Sequence, residues 1–139
     1  MTRTNVEVVQ RLYEGLNSGF LQGPGAAELV GELFDPGVEM RQLDDIAGTS
    51  GTFHGFAGLF QAQSEIYDVF VDVQWRMEEH VEFNGGVVAR TRVLATGGAS
   101  GLPTETPDIG HLFELRDGRI LRFIVYGTFR RALAAAGLE

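Results

Sequence analysis

His111, Arg92 and the pair Glu79 and Arg90 are the residues whose types and positions could do chemistry in this chain. An imidazole among apolar strand residues such as Phe113 and Phe123 has its charged form disfavoured, which leaves it able to accept a proton. A guanidinium without a facing acid presents an open fork to a carboxylate, an enolate or a carbonyl oxygen. Arg92 fits that description if it faces Met77; the alternative is a stem packed on Trp75 with its head in solvent. Glu79 and Arg90 should face each other, either as an ion pair at a rim or as an anchor for polar substrate groups. Asp44 and Asp45 sit in a Gly-rich stretch that could fold over a pocket mouth and offer a base, or simply be solvated. His54 and His80 lack any spacing that would pair them with His111 around a metal, so no metal site is expected. No Ser-His-Asp order, phosphate-cradling loop or dinucleotide fingerprint is present.

Two hairpins must position these groups. The first runs from Val73 to Thr96 and turns at Asn84-Gly85, the strongest two-residue hairpin signal because both positions favour φ > 0. With Phe83 facing Gly86, Val81 faces Val88, Glu79 faces Arg90, Met77 faces Arg92 and Trp75 faces Leu94. Alternation then puts Trp75, Met77, Val81 and Phe83 on one face, the buried one, and carries Glu79, Arg90 and Arg92 inward with them. A one-residue slip reverses the assignment. The second hairpin runs from Ile109 to Tyr126. A three-residue loop, Arg116-Asp117-Gly118, sets His111 opposite Phe123; a two-residue Asp-Gly loop sets it opposite Ile124 and splits the apolar residues between faces. The three-residue loop is therefore expected.

The remaining elements are helical at the start of the chain. Thr4-Asn5-Val6-Glu7 is a capping box, followed by Val6, Val9, Leu12, Tyr13, Leu16 and Phe20 at helical spacing, with Gly19 at the end. Gly23-Pro24-Gly25 separates a second short helix with Ala26, Leu29, Val30 and Leu33 on one face. Asp35-Pro36-Gly37 then opens a short strand from Val38 to Gln42. Residues 43–53 look irregular, and Gly55 opens a third helix carrying Phe56, Leu59, Phe60, Ile66, Tyr67 and Phe70. A Gly/Pro/Thr-rich linker, 97–107, joins the hairpins, and a last helix from Thr128 to Ala136 ends at Gly137. Helices first and antiparallel strands afterwards predict an α+β fold: a strongly curved antiparallel sheet with helices closing a cone-shaped pocket.

The bulk numbers bound the function. A chain of 139 residues suits one domain, 1–139. Absence of Cys excludes thiolate chemistry and fits a cytoplasmic protein. A net charge of −8 argues against nucleic-acid and anionic-membrane partners, and no apolar run is long enough to span a bilayer.

Several stretches resemble the nuclear transport factor 2-like, or cone, superfamily, and within it the SnoaL-like polyketide-cyclase-type group. They are Phe34-Asp35-Pro36-Gly37-Val38-Glu39, Phe53-His54-Gly55, Gly86-Val87-Val88-Ala89-Arg90, the run from His111 to Ile120, and Ala132 to Leu138. The resemblance covers nearly the whole chain. It implies the cone fold and a family that includes isomerases, cyclases, hydrolases, dehydratases and non-catalytic binders. Carried over residue by residue, it matches His111 to the SnoaL-type histidine and Arg92 to an epoxide-hydrolase arginine. Tyr13 lies beside the position of the isomerase phenol, which falls at Leu12. Positions where relatives hold carboxylates are Met40, Leu94 and Val125 here.

The expectation is a small-molecule pocket protein. Its first form is a cofactor-independent acid–base isomerase, cyclase or dehydratase on an apolar carbonyl compound, with His111 moving the proton and Arg92 holding the oxyanion. Glu79, Arg90, Tyr13, Met40, Trp75, Met77, Phe113, Phe123 and Val125 would bind the substrate. Its alternatives are a non-catalytic carrier of a hydrophobic ligand and a dimeric accessory module. A homodimer is expected through outward residues Val87, Ala89, Thr91, Val93 and Ala95, joined by Leu112, Ile120, Ile124 and Tyr126.

Overall fold

A computed structural model describes residues 4–18, 25–46, 49–106 and 108–138. Helix α1 spans Asn5–Asn17 and opens on the expected capping box: the Glu7 amide donates to the Thr4 hydroxyl, and the Thr4 amide donates to the Glu7 carboxylate. It buries Val8, Val9, Leu12, Tyr13 and Leu16. Gly19 and Phe20, expected at its end, lie outside the described residues. Helix α2 is Ala26–Leu33, strand β1 Phe34–Ile46, strand β2 Thr49–His54 and helix α3 Gly55–Val69. The irregular loop expected over 43–53 is instead the end of a long strand and its antiparallel partner, with Met40 facing Phe53. The side chains of Asp44 and Asp45 lie outside the described part.

Strands β3 (Phe70–Phe83), β4 (Gly86–Gly97), β5 (Pro103–Glu105), β6 (Ile109–Arg116) and β7 (Arg119–Tyr126) follow, and helix α4 (Phe129–Ala135) closes the chain. The sheet order is β2-β1-β7-β6-β4-β3, with β5 also paired to β4. Pairing is antiparallel except between β1 and β7, which run parallel. Helices α1, α2 and α3 share one apolar core with one face of the sheet. The fold is thus α+β. Among the described residues no helix is long and apolar enough to cross a membrane.

One extra residue in β3 redirects the first hairpin. Near the turn the expected register holds, with Glu79 facing Arg90 and Val81 facing Val88, but Met77 faces Thr91 and Trp75 faces Val93. Glu78 is the bulge between them. Trp75 and Met77 therefore pack into the core under α1–α3, whereas Phe83, beyond the bulge, packs on the opposite face with Val88. The inward set on β4 becomes Val87, Ala89, Thr91 and Val93, leaving Arg90 and Arg92 on the other side. At the turn only Gly85 takes positive φ, not Asn84.

The second hairpin also combines a tight turn with a bulge. Asp117 and Gly118 both have positive φ and Arg116 faces Arg119, so the loop has two residues, not three. A register shift beyond Leu115, at Leu121, then restores parity: Phe113 faces Phe123 and His111 faces Val125. The predicted inward face is correct although the predicted partners are not.

Helix α4 covers the face on which a homodimer was expected. Val88, Leu112, Ile124 and Ala132 form a second apolar cluster there, flanked by Phe83, Tyr126, Phe129 and Leu133. The approach is close enough that a Cβ at Gly110 would lie 2.6 Å from the Ala132 Cβ and 2.7 Å from the Thr128 carbonyl. Ile120 belongs to the main core, as do Val87 and Ala89. The proposed apolar dimer patch is therefore not a surface of this fold.

Candidate functional site

A cavity lies between α1, α3 and the inner face of the sheet, with an empty volume of about 950 Å³ counted out through its mouth. Its wall is aliphatic and aromatic, and its polar groups are Gln42, Gln63, Trp75, Thr104, Thr106 and His111. Among the described residues the lining holds no carboxylate, lysine or arginine. Nor do any three acidic or histidine side chains gather there as metal ligands.

His111 reaches the cavity from β6 and is 1% exposed. Its Nδ1 is 2.6 Å from the Tyr13 hydroxyl, which is itself 2.8 Å from the Thr91 hydroxyl. Among the described residues its Nε2 has no hydrogen-bond partner. Phe123 meets the imidazole edge-on at 4.9 Å between ring centroids, and Trp75 and Phe113 stand about it at 6.2 and 6.0 Å. Burial without a neighbouring anion pushes the imidazole pKa down from 6.5 to about 3. The same burial pushes the Tyr13 phenol up, offset in part by its bond to Thr91. Both rings are accordingly neutral at physiological pH.

Trp75 is positioned by α1. The Asn17 amide donates to its backbone carbonyl at 2.8 Å and accepts from its backbone N–H at 2.7 Å, so one side chain serves both backbone groups of β3 at that point. The indole Nε1 is buried outside hydrogen-bond geometry, with Tyr67 close enough to feel it. Burial raises the Tyr67 pKa, and the nearby Gln63 and Trp75 side chains oppose the rise.

Arg92, expected to hold an oxyanion, lies elsewhere. Its Nη2 donates to Asp108 at 3.0 Å, and its Nη1 is 3.1 Å from Glu105. Arg90 donates from Nη1 to Asp108 at 2.7 Å and from Nε to Glu79 at 3.2 Å. The bond to Arg90, ahead of that to Arg92, holds the Asp108 carboxyl below its ordinary pKa. The fork is therefore engaged, and Glu79, Arg90 and Arg92 form a half-exposed ionic cluster outside the cavity. Asp108 supplies the counter-charge that pairing within the hairpin could not reveal. The cluster ties down β5 and the turn into β6 at Glu105 and Asp108, and Thr104 and Thr106 of this stretch line the cavity.

Of the remaining candidates, Met40, Trp75, Phe123 and Val125 line the cavity together with His111. Met77 and Phe113 belong to the core around it, and Tyr13 stands behind His111 as its hydrogen-bond partner. His54 and His80 are exposed. Sequence reasoning missed Thr91, Val93 and Ala95 because the Glu78 bulge is silent in an alternating pattern. It also missed Gln42 and Gln63, which carry no motif.

This geometry agrees with what the chain is similar to. No curated protein matches its sequence significantly. Among solved structures, one assigned as a SnoaL-like polyketide cyclase from Jannaschia sp. CCS1 superposes with a TM-score of 0.72 at 19% identity, covering 99% of this chain and 97% of that one. A protein with a ketosteroid isomerase-like fold from Catenulispora acidiphila DSM 44928, in complex with trimethylamine, gives 0.71 at 15% identity over 98% and 96%. The protein TerC, co-crystallised with polyporic acid, gives 0.74 at 19% identity over 95% and 96%. The SnoaL-like domain model matches residues 9–123, from the helix that carries Tyr13 to the strand that carries Phe123, and on that match the chain belongs to the SnoaL-like family.

Proposed function

We propose that this chain binds a mostly apolar carbonyl compound in its cavity, with the ligand oxygen meeting Nε2 of His111. The observation that carries this reading is the fully buried Nε2 without a partner, set in an otherwise apolar wall. A buried polar atom left unpaired is costly, and a ligand oxygen satisfies it. Two relatives of this fold were crystallised with small molecules, polyporic acid and trimethylamine, which supports the same use here. Binding is favoured over turnover because the described lining offers no carboxylate base.

The second reading is an acid–base isomerase, cyclase or dehydratase without a cofactor. The hydroxyl behind His111 favours it, since Tyr13, bonded at Nδ1, aims the other ring nitrogen at the cavity.

Trp75 is the protein's single tryptophan and lines the cavity, so its fluorescence reports occupancy. Titration with 2-decalone, a saturated bicyclic ketone, should give a saturable change that disappears in Val93→Phe, which fills the cavity. A folded wild type with no fluorescence change and no binding heat up to the ketone's solubility limit would overturn the reading. Turnover of β-keto or polycyclic ketone compounds that falls about 10²- to 10⁴-fold in His111→Ala would establish the enzyme reading.

A further inference from the structure

We infer that Thr91 and Tyr13 lock His111 as its Nε2–H tautomer, so that the cavity recognises neutral ligands through an acceptor oxygen and rejects acids. This rests on the reading of the cavity as a small-molecule site.

Thr91, Tyr13 and His111 form one line of hydrogen bonds, and all three are buried. In the first arrangement Thr91 donates to the Tyr13 oxygen, Tyr13 donates to Nδ1, and the imidazole proton sits on Nε2. In the second every direction reverses: Nδ1–H donates to Tyr13, Tyr13 donates to Thr91, and Nε2 bears a lone pair. Thr91 is 0% exposed and, among the described residues, bonds only to Tyr13. The second arrangement therefore leaves the Thr91 proton without an acceptor among the described residues, at a side chain too buried for a ligand in the cavity to reach. The first leaves only Nε2–H unsatisfied, and a cavity ligand can accept that bond. Burying an unsatisfied hydroxyl decides between them.

The consequence is chemical selectivity. A ketone, quinone or ester oxygen accepts from Nε2–H; a hydroxyl offered as donor finds no lone pair there. A carboxylate finds no cation, since the described lining has none and the arginines are committed to Asp108, Glu79 and Glu105 on the other face. The imidazole itself stays neutral through the physiological range. The groups facing it from α1, β3, β6 and β7 are Tyr13, Trp75, Phe113 and Phe123, none of them charged. Tyr13 and Thr91 are in these terms positioning residues, acting through His111.

Two measurements separate this inference from the cavity reading. Nitrogen-15 NMR of the wild type at pH 7 should show His111 protonated at Nε2 alone. Tyr13→Phe, which removes the group bonded to Nδ1, should yield a mixture of tautomers. A wild type protonated at Nδ1 or at both nitrogens would overturn the lock, as would a Tyr13→Phe variant with Nε2–H alone. In binding, 2-decalone should exceed its oxygen-free analogue 2-methylenedecalin by about 3- to 10-fold, the worth of one neutral hydrogen bond. Decahydronaphthalene-2-carboxylate should bind more weakly than either. Equal binding of ketone and alkene, or tightest binding of the carboxylate, would overturn the selectivity while leaving the cavity reading intact. Failure of all three to bind would defeat the cavity reading, while the tautomer stands or falls by NMR alone.

Discussion

His111 carries a proton-linked contribution to stability whose sign is set by its burial. Its pKa is about 3 in the fold against an ordinary 6.5, so between those values the unfolded chain binds a proton that the folded one does not. Above pH 6.5 the imidazole is neutral in both states and costs nothing; as the pH falls toward 3 the fold loses stability by at most about 1.4 kcal/mol per pH unit. Urea unfolding of wild type and His111→Gln at pH 7 and pH 4.5 checks this. The difference between the two proteins should shift against the wild type by roughly 2–3 kcal/mol over that interval. Asp35 and Asp108, both held below their ordinary pKa by hydrogen bonds and nearby arginines, are common to both proteins and cancel. Equal pH slopes would mean that His111 is hydrated in the fold.

At the scale of elements, the cavity depends on one bulge, one clamp and one close contact. The Glu78 bulge leaves Val93 and Ala95 facing the ligand space, Thr91 behind Tyr13, and the arginines turned away. The arginines then clamp the segment around Asp108, so Asp108→Ala should lower the thermal midpoint, loosen the cavity wall and weaken ketone binding. The loss should shrink in high salt, because these groups are partly exposed. Unaltered affinity would separate the clamp from the cavity. Gly110→Ala should cost about 1–3 kcal/mol, as the new methyl meets α4 at the Ala132 side chain and the Thr128 carbonyl. Stability unchanged in urea unfolding would show that α4 can move off the sheet. These features also mark where sequence reasoning ends. The capping box, the helices, the places of both turns and the inward face of His111 are local or periodic and were legible. The bulges were not, because one inserted residue leaves composition and alternation intact while reversing every side chain beyond it. Asp108 was equally hidden, since its partners on β4 are brought near only by the return of the chain through β5.

At the scale of the molecule, the sheet divides two apolar clusters of different use. The one beneath α1, α2 and α3 is incomplete and leaves the cavity, whereas the one beneath α4 is filled. An open apolar space beside a sealed one is the arrangement of a binding site on a rigid scaffold. Membership of the SnoaL-like family accords with that division, and the particular chemistry rests on the Thr91–Tyr13–His111 line. The most direct measurement is the His111 Nε2–H resonance followed by NMR during titration with 2-decalone. A progressive shift saturating at the affinity read from Trp75 fluorescence is the predicted result. A protein saturated with ketone by fluorescence, yet with an unmoved His111 resonance, would contradict it.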